Sequence, residues 1–77
     1  MRLRHDKLRE ARERRFMTQQ QLADLAGTSK ANISRLEGGE QNARMSTVVR
    51  LAEALKIEPE DLVEWGAEGV ETGKAAA

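Results

Sequence analysis

Apolar residues recur at intervals of three and four along most of the chain, which predicts amphipathic helices joined by short polar turns. The two clearest apolar faces consist of Leu22, Leu25 and Ala26, and of Val48, Leu51, Ala52 and Leu55. No stretch alternates between apolar β-branched and polar residues, as a half-buried strand would. The pattern therefore predicts an all-α fold, a compact bundle of five helices.

Capping residues set the predicted boundaries of the first two helices. Helix 1 is expected over residues 6–15, with a thin apolar face that leaves it dependent on packing and charge pairs. Helix 2 begins after Thr18, whose side chain forms a capping box with Gln21. It ends at Gly27, where the chain turns with a positive φ that glycine tolerates.

Similar signals bound the third and fourth helices. Helix 3 is expected over residues 30–37, between the N-cap Ser29 and a left-handed exit supplied by Gly38 and Gly39. Ser46 is predicted to cap helix 4. Helices 2 and 3 are therefore short, and a single glycine turn joins them.

The end of the chain contains one further predicted helix. Pro59 stands at its first position, where the missing backbone N–H leaves nothing unsatisfied, and Leu62 and Val63 face inward. Residues 1–65 form the predicted domain. Small and charged residues dominate residues 66–77, which are predicted to be a flexible tail.

Charge is unevenly distributed, although the net charge of the chain is zero. Residues 1–50 contain 11 Lys and Arg against 6 Asp and Glu, which gives +5, whereas residues 51–77 contain 2 against 7, which gives −5. A basic half is the electrostatic footprint of a nucleic-acid face. The alternative is a solvated surface whose charges happen to be uneven.

Composition excludes several other classes of function. The chain has no Cys and one His, so the usual zinc sites and disulfide frameworks are excluded, and no phosphate-binding glycine loop is present. His5 has no partner at a spacing that suggests catalysis, and the acidic residues around Asp61 lack a calcium-loop pattern. We therefore expect neither an enzyme nor a cofactor. No apolar run is long enough to span a membrane and no signal peptide is visible, so a cytoplasmic location is expected.

The outward face of helix 3 is unusual for an exposed helix. At helical spacing Ile33 and Leu36 point to one side, and the opposite side carries Ala31, Ser34 and Arg35, with Lys30 at its edge. Small residues let a backbone approach a DNA groove closely. Arginine can donate two hydrogen bonds to guanine, alanine can contact a thymine methyl group, and serine can bond to either partner type. The alternative is a short core helix with an ordinary exposed side.

The combination of motifs resembles the phage-repressor and Cro-like helix-turn-helix family, the xenobiotic-response-element class of bacterial regulators. The resemblance covers residues 6–64 and is specific in combination, although each motif alone is weak. The residues that carry it are Thr18, Gln19, Leu22, Ala23, Gly27, Ile33, Leu36, Glu37, Gly39, Leu51, Ala52, Glu53, Ala54, Leu55 and Leu62. It implies a lambda-repressor-like DNA-binding domain that acts as a dimer on a two-fold symmetric operator.

The resemblance also implies roles for individual residues. The base-reading positions are Lys30, Ala31, Ser34 and Arg35, and the phosphate-contacting positions are Gln19, Ser29, Asn32, Asn42 and Arg44. Glu37 is expected to pair with Arg12 of helix 1. Arg14 and Arg15 either form a solvated face or lie along phosphates.

Three positions depart from the family pattern. Phe16 and Lys56 stand where many members have Gly, and Met45 stands where many have Pro. All three positions lie in turns and not on the expected DNA face.

These expectations lead to one function and one rival from another class. The function is a sequence-specific regulator that binds double-stranded DNA, most simply a transcriptional repressor, with a homodimer interface on helix 5 formed by Leu62, Val63 and Trp65. An antitoxin with a toxin partner fits the same pattern. The rival is a protein-interaction adaptor that uses the same fold through its acidic C-terminal half.

Overall fold

The computed structural model describes residues 1–64 of the chain. Its elements, in chain order, are β1 (Arg2–Leu3), α1 (His5–Arg14), α2 (Gln19–Ala26), α3 (Lys30–Glu37), α4 (Met45–Leu55), a 3-10 turn (Pro59–Leu62) and β2 (Val63–Glu64). Trp65 and the tail predicted over residues 66–77 lie outside the described residues. Within that described part, four of the five expected helices are α-helices.

The core lies where the four helices meet. α2 packs against both α3 and α4, and α1 packs against α3 and the 3-10 turn. The large side chains with less than 2% exposure are Leu8, Leu22, Ile33, Leu36, Val48, Leu51, Leu55 and Leu62. The prediction that Leu25 faces inward is wrong, since this residue is 63% exposed. The buried residues of α2 are Leu22, Ala23 and Ala26.

Capping at α2 and α3 follows the prediction. The Thr18 side chain accepts a hydrogen bond from the Gln21 backbone, the Gln21 side chain accepts one from the Thr18 backbone, and Gly27 ends α2 with a φ of 72°. After α3, however, only Gly39 has a left-handed φ, at 76°, whereas Gly38 has a φ of −82°. Of the two glycines, only Gly39 is therefore required by backbone conformation.

The start of α4 differs from the prediction by two residues. Arg44 is the N-cap, with an extended backbone and no side-chain cap, and Ser46 already lies inside the helix. The Arg44 carbonyl accepts the first hydrogen bonds of the helix, from the Thr47 and Val48 backbones. Met45 therefore occupies the first helical position, which is where proline is favoured and where many members of the resembled family have it.

The prediction of a fifth α-helix is wrong, because this segment forms a 3-10 turn followed by a short strand. Pro59 begins a four-residue 3-10 turn, after which Val63 is extended and β2 pairs antiparallel with β1, with Arg2 opposite Glu64 and Leu3 opposite Val63. The Arg4 backbone donates a hydrogen bond of 2.7 Å to the carbonyl of Leu62, which holds the chain in this extended path.

The location of Leu62 and Val63 also overturns part of the expected dimer interface. Leu62 is 0% exposed and Val63 is 9% exposed, because both pack into the core of this one chain. Neither side chain is available to anchor a partner. The third expected anchor, Trp65, lies outside the described residues.

Two non-glycine residues within residues 1–64 have a left-handed backbone. They are Phe16, with a φ of 56° after α1, and Lys56, with a φ of 58° at the end of α4. Both positions are those at which many members of the resembled family carry glycine. A residue with a Cβ loses roughly 1–2 kcal/mol in this conformation, so each turn stores strain that glycine would relieve.

We expect Lys56→Gly to raise the free energy of unfolding by about 0.5–1 kcal/mol, because glycine adopts the left-handed conformation without a Cβ clash. Urea denaturation measures the change. The matched control is Glu53→Gly, which places glycine at an exposed position inside the same helix and should lower stability by about 1 kcal/mol. Equal destabilisation by both substitutions would contradict the strain at Lys56.

Candidate nucleic-acid interface

α3 presents the predicted face to solvent. Ile33, Leu36 and Glu37 are buried, whereas all four predicted base-reading side chains are exposed, namely Lys30, Ala31, Ser34 and Arg35. Two of these residues are small and two are basic, so this face of α3 has little side-chain bulk and carries positive charge. The orientation of the helix agrees with the sequence, and the contact with bases stays a prediction.

A buried ion pair fixes the angle of α3. Arg12 Nε donates to Glu37 Oε2 at 2.6 Å and Arg12 Nη2 donates to Glu37 Oε1 at 3.0 Å, so the fork of the guanidinium matches the carboxylate. The two side chains are only 12% and 4% exposed. The hydrogen bonds to Glu37 raise the pKa of the Arg12 guanidinium above its ordinary value, which keeps it charged. The predicted pair is therefore present.

Gln19 joins this pair, which the sequence did not indicate. Its Nε2 donates to Glu37 Oε1 at 3.1 Å, and Arg12 Nη1 donates to the carbonyl of Met17 at 2.8 Å. The network therefore connects α1, the start of α2 and the end of α3. The amide nitrogen of Gln19 carries two hydrogens, so it can donate one further hydrogen bond.

Ser29 and Asn32 brace the turn before α3. Ser29 Oγ accepts a hydrogen bond of 3.1 Å from the Asn32 backbone, as an N-cap should. The side chain of Asn32 is half-buried, and its Nδ2 donates to Thr28 Oγ1 at 2.9 Å while its Oδ1 accepts from Gln41. Asn32 thus connects the turn between α2 and α3 to the loop that follows α3.

Asn42 connects that same loop to the N-terminal strand. Its Oδ1 accepts from the backbone of Leu3 at 2.8 Å and from that of Ala43 at 2.9 Å, and its Nδ2 donates to the carbonyl of Met1 at 3.4 Å. Arg44 follows it with an exposed side chain. Beside α3 these residues border a shallow groove that is lined by Asn32, Leu36, Gln41, Asn42, Ala43, Arg44 and Thr47.

Of the five predicted phosphate contacts, Ser29, Asn42 and Arg44 are exposed, whereas Gln19 and Asn32 are half-buried. The three amides also make hydrogen bonds within the fold.

The short strands were missed because Leu3 and Val63 lie far apart in sequence. The role of Gln41 was missed because its partner Asn32 belongs to α3 and the contact follows from how the loop folds back. The only sequence feature that could have indicated these contacts is the run of mostly polar residues from Glu40 to Arg44 in a loop.

Arg14 pairs with Glu10 at 3.3 Å, and Arg15 donates to the carbonyl of Lys56 at 3.4 Å. A solvated face and a position along phosphates both stay open for these two residues.

We expect Arg12→Ala to cost about 3–5 kcal/mol in unfolding free energy, because it leaves the carboxylate of Glu37 buried without a partner. Thermal and urea denaturation measure the loss. The control is Arg9→Ala, which removes an exposed pair with Glu13 on the same helix and should cost less than about 0.5 kcal/mol. Losses of similar size in the two variants would contradict a structural role for the buried pair.

Among residues 1–64 no cluster of three or more His, Cys, Asp or Glu could hold a metal ion. In the same residues no helix is long and apolar enough to cross a membrane. Glu58 and Asp61, which lie in the acidic segment, cap the start of the 3-10 turn, where the Glu58 backbone donates to Asp61 Oδ2 at 3.3 Å.

Comparison with known proteins identifies a matching family and several relatives. The family described as "Helix-turn-helix domain" matches residues 6–65. The HTH-type transcriptional repressor RghR of Bacillus subtilis is 46% identical over 59 residues, a match that covers 75% of this chain and 44% of RghR. The chain thus spans less than half the length of that relative.

Several solved structures share the fold. The restriction-modification controller protein C.AhdI of Aeromonas hydrophila is 34% identical with a TM-score of 0.74, and the match covers 77% of this chain and 89% of that one. The P22 c2 repressor, solved in complex with a synthetic operator, is 25% identical with a TM-score of 0.76, over 83% of this chain and 97% of that one.

Proposed function

Because this chain belongs to the helix-turn-helix domain family, we propose that it is a sequence-specific transcriptional regulator of double-stranded DNA, most simply a repressor. The observation that carries the proposal is the exposed face of α3, whose orientation is fixed by the Arg12–Glu37 pair. Relatives named as repressors support this function and not an enzymatic one. A regulator of this kind acts in the cytoplasm, where bacterial DNA lies.

The chemistry of the α3 face suits the major groove. The guanidinium of Arg35 can donate two parallel hydrogen bonds to O6 and N7 of guanine, and the methyl group of Ala31 can contact thymine. Ser34 can donate or accept, and Lys30 at the first helical position adds a cation beside them. Because the two small residues do not hold the helix away from DNA, the longer side chains reach the base edges.

Contacts to the DNA backbone set the register of this helix. Ser29, Asn42 and Arg44 are exposed. The side chains of Gln19, Asn32 and Asn42 each retain one amide hydrogen after their internal bonds. Internal bonds hold these amides in one orientation before DNA binds, which lowers the entropic cost of each contact. We assign the five residues to phosphate contacts on this basis.

Two copies on a two-fold symmetric operator complete the proposal. One small module contacts few base pairs and has limited specificity, and half-sites about 34 Å apart place two recognition helices in successive major grooves. The interface between the copies cannot use Leu62, which is fully buried. The protein partner expected of an antitoxin has no observation in its favour among the described residues.

We expect Arg35→Ala to lose about 1–3 kcal/mol of binding free energy on the preferred duplex, and to relax the preference at one base position. Fluorescence anisotropy with preferred and scrambled duplexes measures both effects. Arg9→Ala is the control, since it removes an exposed cation far from α3 in sequence. Equal losses on both duplexes would assign Arg35 to the phosphates. Absence of DNA binding by the wild type at low salt would favour the adaptor.

We expect Gln19→Ala to weaken binding to all duplexes by a similar factor, because a phosphate contact carries no base preference. Gln20→Ala is the matched control, since the neighbouring amide donates instead to Asp24 at 2.9 Å. Urea denaturation of both variants separates loss of the bond to Glu37 from loss of a DNA contact. A change in base preference in Gln19→Ala would contradict a purely positioning role.

A further inference from the structure

One apolar surface of the described residues is not explained by the fold. Phe16 is 93% exposed and Leu25 is 63% exposed, and with Met17 they line one shallow cavity of about 430 Å³. The other residues lining it are Arg15, Gln21 and Asp24. We refer to these six residues as the Phe16 patch.

The backbone at Phe16 makes its exposure more informative. Phe16 has a φ of 56°, a left-handed conformation that Gly and Asn adopt readily and that an aromatic side chain adopts only with strain. Phe16 therefore strains the backbone and exposes a large apolar side chain to water. No burial of this side chain in the core offsets these two costs. A residue that breaks a local rule without a gain in the monomer points to a function outside it.

The charges at the edges of the patch suit a second copy of the same surface. Arg15 and Asp24 make no ion pair within residues 1–64, whereas Arg9 and Arg14 on α1 both do. Each makes one hydrogen bond inside the chain, from Arg15 Nη2 to the carbonyl of Lys56 at 3.4 Å and from Gln20 Nε2 to Asp24 Oδ1 at 2.9 Å, which leaves both charges without an opposite charge. One cation and one anion thus border an apolar pair. In a two-fold contact, where the same surface appears on both sides, each Arg15 can lie opposite the partner's Asp24.

We propose that a second copy of this chain docks on the Phe16 patch across a two-fold axis. Phe16 and Leu25 of both copies become buried, and Arg15 pairs with Asp24 of the partner subunit. The inference rests on the proposed function in one respect, which is that a two-fold operator needs two copies. No residue of the patch belongs to α3, so the contact leaves the base-reading face exposed.

The first test measures self-association of the full chain by sedimentation equilibrium over a range of concentrations. Phe16→Asn and Leu25→Gln suit their backbone conformations, and each should weaken dimerisation about tenfold or more. Met45→Gln is the matched control, because Met45 is also 63% exposed but lies outside the patch. A monomeric wild type at every concentration, or unchanged association in the two patch variants, would overturn the proposal.

The second test exchanges the charges. Arg15→Glu alone and Asp24→Arg alone should each place like charges together and abolish the dimer. An equimolar mixture of the two variants should form a heterodimer, because both cross-axis pairs are then complementary. A mixture that stays monomeric, or single variants that dimerise as the wild type does, would exclude the Arg15–Asp24 pairing across a two-fold axis.

Binding to a duplex that carries one half-site separates the two proposals. Phe16→Asn and Leu25→Gln should bind it as the wild type does, since α3 is unchanged. If their association is also unchanged, the docking surface is wrong and the DNA-binding function stands. If the wild type dimerises through the patch but binds no DNA, the docking surface stands and the proposed function is wrong.

Discussion

The buried pair between Arg12 and Glu37 is the constraint on which the rest of the structure depends. It joins the end of α1 to the end of α3, and through Gln19 and the carbonyl of Met17 it also holds the start of α2. Separating the two charges would leave each one buried without a partner, which is costly. The pair therefore holds α1 and α3 at one relative angle. The contacts on the buried side of α3 thus decide which side chains the helix exposes. This orientation does not depend on contact with DNA.

Around this pair, amide side chains serve as braces between segments that are distant in sequence. Asn32 connects the turn before α3 to Gln41 in the loop after it, and Asn42 connects that loop to β1. The same amides keep hydrogens for phosphate contacts in the proposed function. A surface that is already rigid loses less entropy when it binds, which gives these residues a reason to serve both purposes.

The sequence predicted the features that local rules control. Thr18, Gln21 and Gly27 identified α2 because caps act within a few residues, and Ile33 and Leu36 oriented α3 because helical periodicity is regular. The pairing of Leu3 with Val63 escaped prediction because two-residue strands show no alternation and their partner lies 60 positions away. Leu25 was misplaced because helical spacing gives a direction but not the width of the buried face. The partners of Gln19 and Asn42 follow from tertiary packing, and a single sequence carries no signal of it.

The central claim is that the face of α3 reads a specific sequence in double-stranded DNA. Selection of bound duplexes from a random pool by the full chain tests it most directly, because it reports sequence, symmetry and spacing together. The account predicts enrichment of two related half-sites about one helical turn apart, with affinity that falls steeply as salt rises. A pool that shows no enriched sequence after repeated rounds at low salt would contradict it.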